Sequence, residues 1–282
     1  GIGPGCRPLG RRQDAQPLIG QDGTVRKGFE SPSVFAGQGI LLGEVTPTSV
    51  VAQVRLTASD QLVDGDVGGA GGVVRFHVEP LEEQKSKTPP AVTESAEADR
   101  DFIARTVFAG LRPNSNYRIR TQIGSNAESL REGPTATFRT SPGAKTSAGV
   151  KFVVVTGMNY AKFHGDNRID REIHKLHNNT ELPQPYSGPD KHLGYPALDS
   201  ILKLRPDFFV GTGDNVYYDT PKMPRAETVP QMRQKWHEQF VLPRYRSMFA
   251  AVPTYWMIDD HDYRIDDGDN SGDYEPTPQN GR

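Results

Sequence analysis

The chain of 282 residues has a single cysteine, Cys6, so it cannot form an internal disulfide and has no thiolate partner for a zinc site. No apolar run approaches the roughly 18 residues that a membrane span requires. Lysine and arginine number 33 and aspartate and glutamate 35, and the net charge of −2 gives no sign of a general nucleic-acid or anionic-membrane binder. The Walker loop, the Gly-x-Ser-x-Gly elbow and the His-Glu-x-x-His motif are also missing, which excludes the chemistries they serve.

The first half of the chain has the pattern of a small all-β domain. Residues 1–30 are rich in glycine, proline and arginine, and we predict an N-terminal arm there. Within residues 31–142, short β-branched or alternating runs are separated by turn residues, which is typical of a β-sandwich. These runs are 39–45, 49–56, 73–78, 101–107, 117–123 and 135–140. The charged, proline-bearing stretch 82–100 is predicted to be a long exposed loop.

The pattern changes after a linker of small residues at 143–150. From 151 to 282, apolar runs alternate with helical segments, which predicts a parallel sheet covered by helices. The predicted strands are 150–156, 207–211 and 252–258, and the predicted helices lie near 168–177, at 197–204 and over 229–250. We therefore expect a second domain of α/β class.

Each of the three predicted strands ends in a polar cluster. The clusters are Gly157–Tyr160, Gly213–Asp219 and Asp259–Asp262. Because the carboxyl ends of parallel strands lie at one edge of a sheet, the three clusters should converge, at the edge where such sheets bind substrates. Carboxylate, amide and phenolate oxygens are ligands for hard cations such as calcium and ferric iron. The sequence thus predicts a metal site at this edge.

A metal-assisted hydrolysis of a phosphate ester would give these side chains definite roles. Asp214 is the candidate bridging ligand, and Tyr217 can reach the same metal as a phenolate. Asp260 would bind a second metal, and His261 would protonate the leaving oxygen or stabilise charge on the phosphoryl group.

Simpler interpretations of the same residues remain open. Asp214 is also a suitable cap for a helix or turn, and Asp260 with His261 also fits a solvated turn. The neighbouring histidines His174 and His177 fit a solvated helix face better than a metal site, and His164 fits a loop as well as a substrate entrance. The acidic stretch 266–273 fails the EF-hand pattern and is interpreted as a solvated loop.

Two motifs resemble those of a known family. Gly213-Asp214-Asn215-Val216-Tyr217 is similar to the Gly-Asp-x-x-Tyr motif of PhoD-like alkaline phosphatases, a branch of the calcineurin-like metallophosphoesterases. Asp259-Asp260-His261-Asp262 is similar to that family's Asp-Asp-His-Glu/Asp motif. The turn 110–117 resembles that of fibronectin type III domains, which precede the catalytic domain in this family. The resemblance covers residues 39–275.

The resemblance implies more than the residues alone indicate. It implies a fibronectin III-like β-sandwich followed by a four-layer α/β/β/α catalytic domain, which hydrolyses phosphate monoesters or diesters. It further implies a site holding iron and calcium, and an exported protein, either secreted or periplasmic.

The chain departs from the family pattern in two respects. Met158 stands where family members often carry a cysteine that binds iron, and a thioether is a poor ligand for ferric iron or calcium. Asn159 is the candidate to supply an oxygen instead. The family's later motif of Asp and His ligands has no counterpart here, so we expect only the N-terminal portion of the catalytic domain, completed by a missing C-terminal fragment or another chain. The alternative function is a binding protein with a degenerate, inactive metallophosphoesterase domain.

Overall fold

Seven strands in the first part of the chain form two antiparallel sheets around a shared core. The computed structural model describes residues 33–82, 88–144, 146–166, 184–221, 224–264 and 266–268. One sheet has the order β1-β2-β5 and the other β4-β3-β6-β7. The strands are β1 (Leu41–Gly43), β2 (Ser49–Arg55), β3 (Gly72–Pro80), β4 (Val92–Ala96), β5 (Ile103–Ala109), β6 (Asn116–Gly124) and β7 (Arg131–Arg139). The predicted arm at 1–30 lies outside the described residues.

Alternating apolar residues from both sheets fill the core of this sandwich, as the period-2 pattern predicts. Phe76 of β3, Phe108 of β5 and Ile119 of β6 are almost completely buried there. The turn before β6 is fixed by Tyr117, whose hydroxyl accepts a hydrogen bond of 2.9 Å from the backbone N–H of Arg112.

One prediction for this region is wrong. The stretch 82–100, predicted to be a loop, contains strand β4 and a short 3-10 helix, Ala98–Arg100. Strand β4 pairs with β3 from Gly72 opposite Ala96 to Phe76 opposite Val92. It is an edge strand whose outer residues are polar and exposed, so its sequence lacks the apolar signal that marks the inner strands.

The second part of the chain contains a parallel sheet of three strands in the order β10-β9-β8, as predicted. Its strands are β8 (Phe152–Val155), β9 (Phe208–Gly211) and β10 (Thr254–Trp256). The helices are α1 (Tyr160–His164), α2 (Pro196–Leu204), α3 (Val229–Phe240), α4 (Pro243–Ala251) and α5 (Asp260–Tyr263), with a 3-10 helix at Lys191–Leu193. The helix predicted near 168–177 lies outside the described residues.

A single helix over 229–250 was the expectation, and the structure corrects it to α3 and α4. Pro243 is the first residue of α4. A proline there lacks the N–H that a continuous helix needs and its ring clashes with the preceding turn, so the chain stops and restarts.

The two faces of the parallel sheet are covered differently. Phe209 of β9 packs with Tyr245 and Phe249 of α4 in a second hydrophobic core. On the opposite face, Phe152 and Val154 of β8 are 55% and 52% exposed. Parallel sheets are normally covered on both faces, so this face is a surface on which a further layer can pack. Among the described residues, no helix is both long and apolar enough to cross a membrane.

Candidate metal centre

The turn after β9 brings the three strand ends together. Gly213 has a φ of +102° and Asp214 a φ of +52°, so the chain reverses sharply directly after the strand. Glycine adopts this region freely, and aspartate is among the side chains that tolerate it best. The backbone oxygen of Asp214 accepts a hydrogen bond of 3.0 Å from the N–H of Met158, which follows β8. The loops after β8 and β9 are thereby joined.

Buried hydrogen bonds join the loop after β9 to the loop after β10. The Oδ2 atom of Asp262 accepts from the backbone N–H of Asn215 at 3.2 Å and from its Nδ2 at 2.6 Å. The same amide nitrogen lies 2.7 Å from the backbone oxygen of Met257. Asn215 and Asp262 are both buried, so this pair fixes the two loops against each other.

Three side chains that carry possible metal-ligand atoms converge at this edge. Asp214, Asp260 and His261 each offer one ligand atom, and these atoms lie within 4.8 Å of one another. We call these three residues the candidate metal centre. The Oδ1 atom of Asp214 is buried and has no hydrogen-bond partner in the described part of the chain. Burial raises the pKa of the Asp214 carboxyl group, and the nearby Asp260 carboxylate acts in the same direction. A cation would relieve both effects, so the donor set fits a metal ion.

Tyr217 lies directly beside this centre. Its hydroxyl donates to Asp214 Oδ2 at 3.1 Å, and its ring packs on the ring of His261 with 4.4 Å between the centroids. Burial, together with the charge of Asp214, raises the pKa of Tyr217, so without a metal the phenol stays protonated.

His261 is oriented by an acid that sequence reasoning did not select. Its Nδ1 lies 2.9 Å from Oδ1 of the buried Asp219, and its Nε2 lies 3.5 Å from Oδ1 of the exposed Asp266. Burial opposes protonation of the ring, but the hydrogen bond and charge of Asp219 outweigh it and raise the pKa of His261. Asp219 thus favours a charged ring whose Nδ1–H is held in one direction.

Replacing Asp219 with asparagine should lower the pKa of His261 in the metal-free chain, because the ring loses its main negative partner. The Asp219–His261 pair stabilises the fold below the ordinary histidine pKa of about 6.5, and this contribution is lost as the pH rises through the raised pKa. Titration of the ring resonances by NMR measures the change. Asp266→Asn is the matched control and should have the smaller effect; equal effects would contradict the assignment.

The two candidates after β8 occupy different environments. Met158 is buried in the second core, where its sulfur accepts a hydrogen bond from the hydroxyl of Tyr245. Asn159 caps α1 through its Oδ1, which accepts from the N–H of Lys162 at 2.9 Å. The Nδ2 atom of Asn159 is buried and has no partner in the described segments. The structure therefore directs the thioether into the core, uses the amide oxygen of Asn159 as a helix cap and leaves only its amide nitrogen unsatisfied.

The remaining candidates from the sequence are His164, the histidine pair at 174 and 177, and the acidic stretch 266–273. His164 is half-buried in α1, where its Nδ1 lies 3.3 Å from the backbone oxygen of Tyr160. The predicted pair at 174 and 177 lies outside the described residues. Asp266 and Asp267 form a second group of close carboxylates with Asp260, and both are exposed. They lie close to Asp260, and the rest of the acidic stretch, from 269 onward, is not described.

Comparisons with known proteins address the fold. The chain matches no protein-family model and no curated protein sequence. It is similar to the structure of PhoD, with 19% identity and a TM-score of 0.54 over 83% of this chain and 40% of that chain. A purple acid phosphatase, PPD1 from yellow lupin (Lupinus luteus) seeds, matches with 12% identity and a TM-score of 0.44, over 86% and 38% of the two chains.

A third similarity involves a single small domain. The fibronectin type-III domain of human fibronectin type III domain containing protein 3 covers 39% of this chain with 89% of its own length, at 15% identity and a TM-score of 0.26. The similarity to PhoD indicates a metallophosphoesterase-like fold for this chain, as the two motifs predicted. The chain spans 40% of the length of that PhoD structure.

Proposed function

We propose that this chain forms part of a metal-dependent phosphoesterase that hydrolyses phosphate monoesters or diesters. The observation that carries the proposal is the convergence of Asp214, Asp260 and His261 within 4.8 Å at the carboxyl edge of a parallel sheet. The buried, unpartnered Oδ1 of Asp214 is the atom that most requires a cation. Bound metal ions would neutralise the phosphoryl oxygens and lower the pKa of an attacking water.

The proposed ligands are oxygen atoms. Asp214 and Asp260 would hold the metal ions, and Tyr217 would join them as a phenolate after its hydroxyl proton, now donated to Asp214, is lost. Asn159 is left out as an oxygen ligand because its Oδ1 already accepts from the N–H of Lys162. Oxygen ligands of this kind suit calcium and iron, which are the metals we propose. Met158 is left out of the ligand set because its sulfur is engaged in the core.

The residues of the chain supply the remaining chemistry. Asp219 holds the Nδ1–H of His261, so the protonated ring presents Nε2–H as a second donor. That proton is available to a phosphoryl oxygen or to the oxygen of the leaving alcohol. The unsatisfied Nδ2 of Asn159 is a further donor for a phosphoryl oxygen.

The proposed enzyme has a second β-layer, which the described residues of this chain do not provide. The exposed face of the parallel sheet, with Phe152 and Val154, suits a second β-layer and thus a four-layer α/β/β/α arrangement. The share of PhoD that this chain spans supports the same view. We propose that a C-terminal fragment or another chain supplies this layer and further ligands. Export of the protein is a proposal that rests on the family resemblance.

The test combines metal binding with turnover. Terbium(III), which replaces calcium at oxygen sites, should bind the chain and be displaced by calcium. With the proposed C-terminal fragment or partner chain added, hydrolysis of 4-nitrophenyl phosphate and of bis(4-nitrophenyl) phosphate should then depend on added calcium and iron, with a rate at least about 100-fold above that of the metal-free protein. A chain that binds neither terbium nor iron would overturn the proposal.

A further inference from the structure

A buried histidine on α3 joins the second part of the chain to the β-sandwich. The side chain of His237 is 6% exposed and lies between two carboxylates of the sandwich. Its Nδ1 is 2.8 Å from Oδ1 of Asp66, and its Nε2 is 2.7 Å from Oδ2 of Asp101. The ring therefore bridges Asp66 and Asp101, with one ring nitrogen at hydrogen-bond distance from each carboxylate.

Within the sandwich, Asp101 is itself held in place by hydrogen bonds from Arg55. Arg55, the last residue of β2, contacts Asp101 through two bonds of 3.2 Å, from Nε to Oδ2 and from Nη2 to Oδ1. The Nη1 atom of Arg55 donates to the backbone oxygen of Val67 at 2.7 Å. Burial opposes ionisation of Asp101, but His237 and Arg55 together lower its pKa. On one side, His237 therefore contacts a carboxylate that is itself held by Arg55.

The other side of α3 holds the loop that carries Asp214. The Nε2 atom of Gln239 donates to the backbone oxygen of Asn215, the residue after Asp214. The indole N–H of Trp236 donates to the hydroxyl of Tyr218 at 2.9 Å, and Nζ of Lys235 donates to the backbone oxygen of Thr220 at 3.0 Å. Three hydrogen bonds thus run from one helix to the segment 215–220.

We propose that His237 is a positioning residue for the metal centre. His237 fixes α3 against the sandwich, and α3 in turn holds the loop that carries Asp214 and Tyr217. The distance along the helix is short, since His237 and Gln239 are two residues apart. The sandwich is then a part of the site's scaffold rather than an independent binding module. The consequence for metal binding rests on the proposed function, whereas the positioning of the loop does not.

The experiment measures loop order directly in the 282-residue chain. Amide hydrogen exchange of peptides covering 214–220 should be at least about 10-fold faster in His237→Leu without added metal, while exchange in β6 stays unchanged. His192→Leu, at an exposed histidine of the second 3-10 helix, is the matched control and should leave both regions as they were. Unchanged loop exchange in a folded His237→Leu would overturn the proposal.

A second variant and a second readout complete the test. Asp66→Asn removes one charge at a partly exposed position and should accelerate exchange of the same loop to a smaller extent, which keeps the test valid if His237→Leu fails to fold. Terbium(III) affinity should fall about 10-fold in His237→Leu but not in His192→Leu. An unmodified chain that binds no terbium would contradict the proposed function and leave the exchange result to decide the positioning role. Loop exchange as slow in folded Asp66→Asn as in the unmodified chain would count against that role.

Discussion

Replacing Asp214 with asparagine should stabilise the metal-free chain and remove its metal binding. The Oδ1 atom of Asp214 is buried without a partner, and burial raises the pKa of the group, so its charge costs stability at neutral pH. Asparagine keeps an acceptor for the Tyr217 hydroxyl and carries no charge. We expect a gain of about 1 kcal/mol in the free energy of unfolding, and a loss of terbium affinity of at least about 100-fold.

The pH dependence of this gain has a definite sign. Because the pKa of Asp214 is raised in the folded chain, the cost of its charge disappears as the pH falls through that pKa. The stability advantage of Asp214→Asn, measured by denaturant unfolding in the presence of a chelator, should therefore vanish at acid pH.

The control variant is Asp207→Asn, at the residue just before the opposite end of the same strand. Asp207 accepts from the backbone N–H of Lys151 at 2.9 Å and its Oδ1 lies 3.5 Å from Nη1 of Arg139, so removing its charge should lower stability and leave metal affinity unchanged. A destabilised Asp214→Asn that still binds metal would contradict both expectations.

The convergence of Asp214, Asp260 and His261 follows from local sequence patterns. Each lies directly after an apolar run, and parallel strands that alternate with helices place such positions on one edge. The strand period and the glycines of the turn were sufficient to predict this geometry. The same logic placed Met158 and Asn159 at this edge, but it could not decide which atoms point into the core. Side-chain direction after a strand depends on packing against residues such as Tyr245, 87 positions away.

Other features depend on contacts that no local pattern encodes. The acid that orients His261 is Asp219, 42 residues earlier, although its place in the same polar stretch as Asp214 was an available signal. His237 contacts Asp66 and Asp101 across 171 and 136 residues, and nothing in its neighbourhood marks it. Strand β4 was missed because an edge strand needs little apolar character. The break between α3 and α4, by contrast, was visible in Pro243 and could have been predicted.

Gly213→Ala should be the most damaging single-methyl change at the candidate metal centre. A Cβ atom on Gly213 would lie 2.2 Å from Cβ of Asp259, which is closer than two carbon atoms can approach, and 3.0 Å from the backbone nitrogen of Asp259, which is a tight contact. The backbone of Gly213, at a φ of +102°, would also be strained by any side chain. Relief requires the loop of Asp214 and the loop of Asp260 to move apart. We expect a loss of about 3 kcal/mol in stability and a fall in terbium affinity of at least about 10-fold.

The variant Gly110→Ala separates the effect of backbone strain from the effect of steric overlap. Gly110 has a φ of +78° in the turn after β5, and no atom lies within 4 Å of the position its Cβ would take. Its replacement carries the backbone strain without the steric overlap, so it should cost about 1 kcal/mol and leave metal affinity intact. Urea unfolding and terbium titration of the two variants give the comparison. Equal losses of stability, with metal binding kept in both, would mean that the close approach of Gly213 to Asp259 does not hold the two ligand loops together.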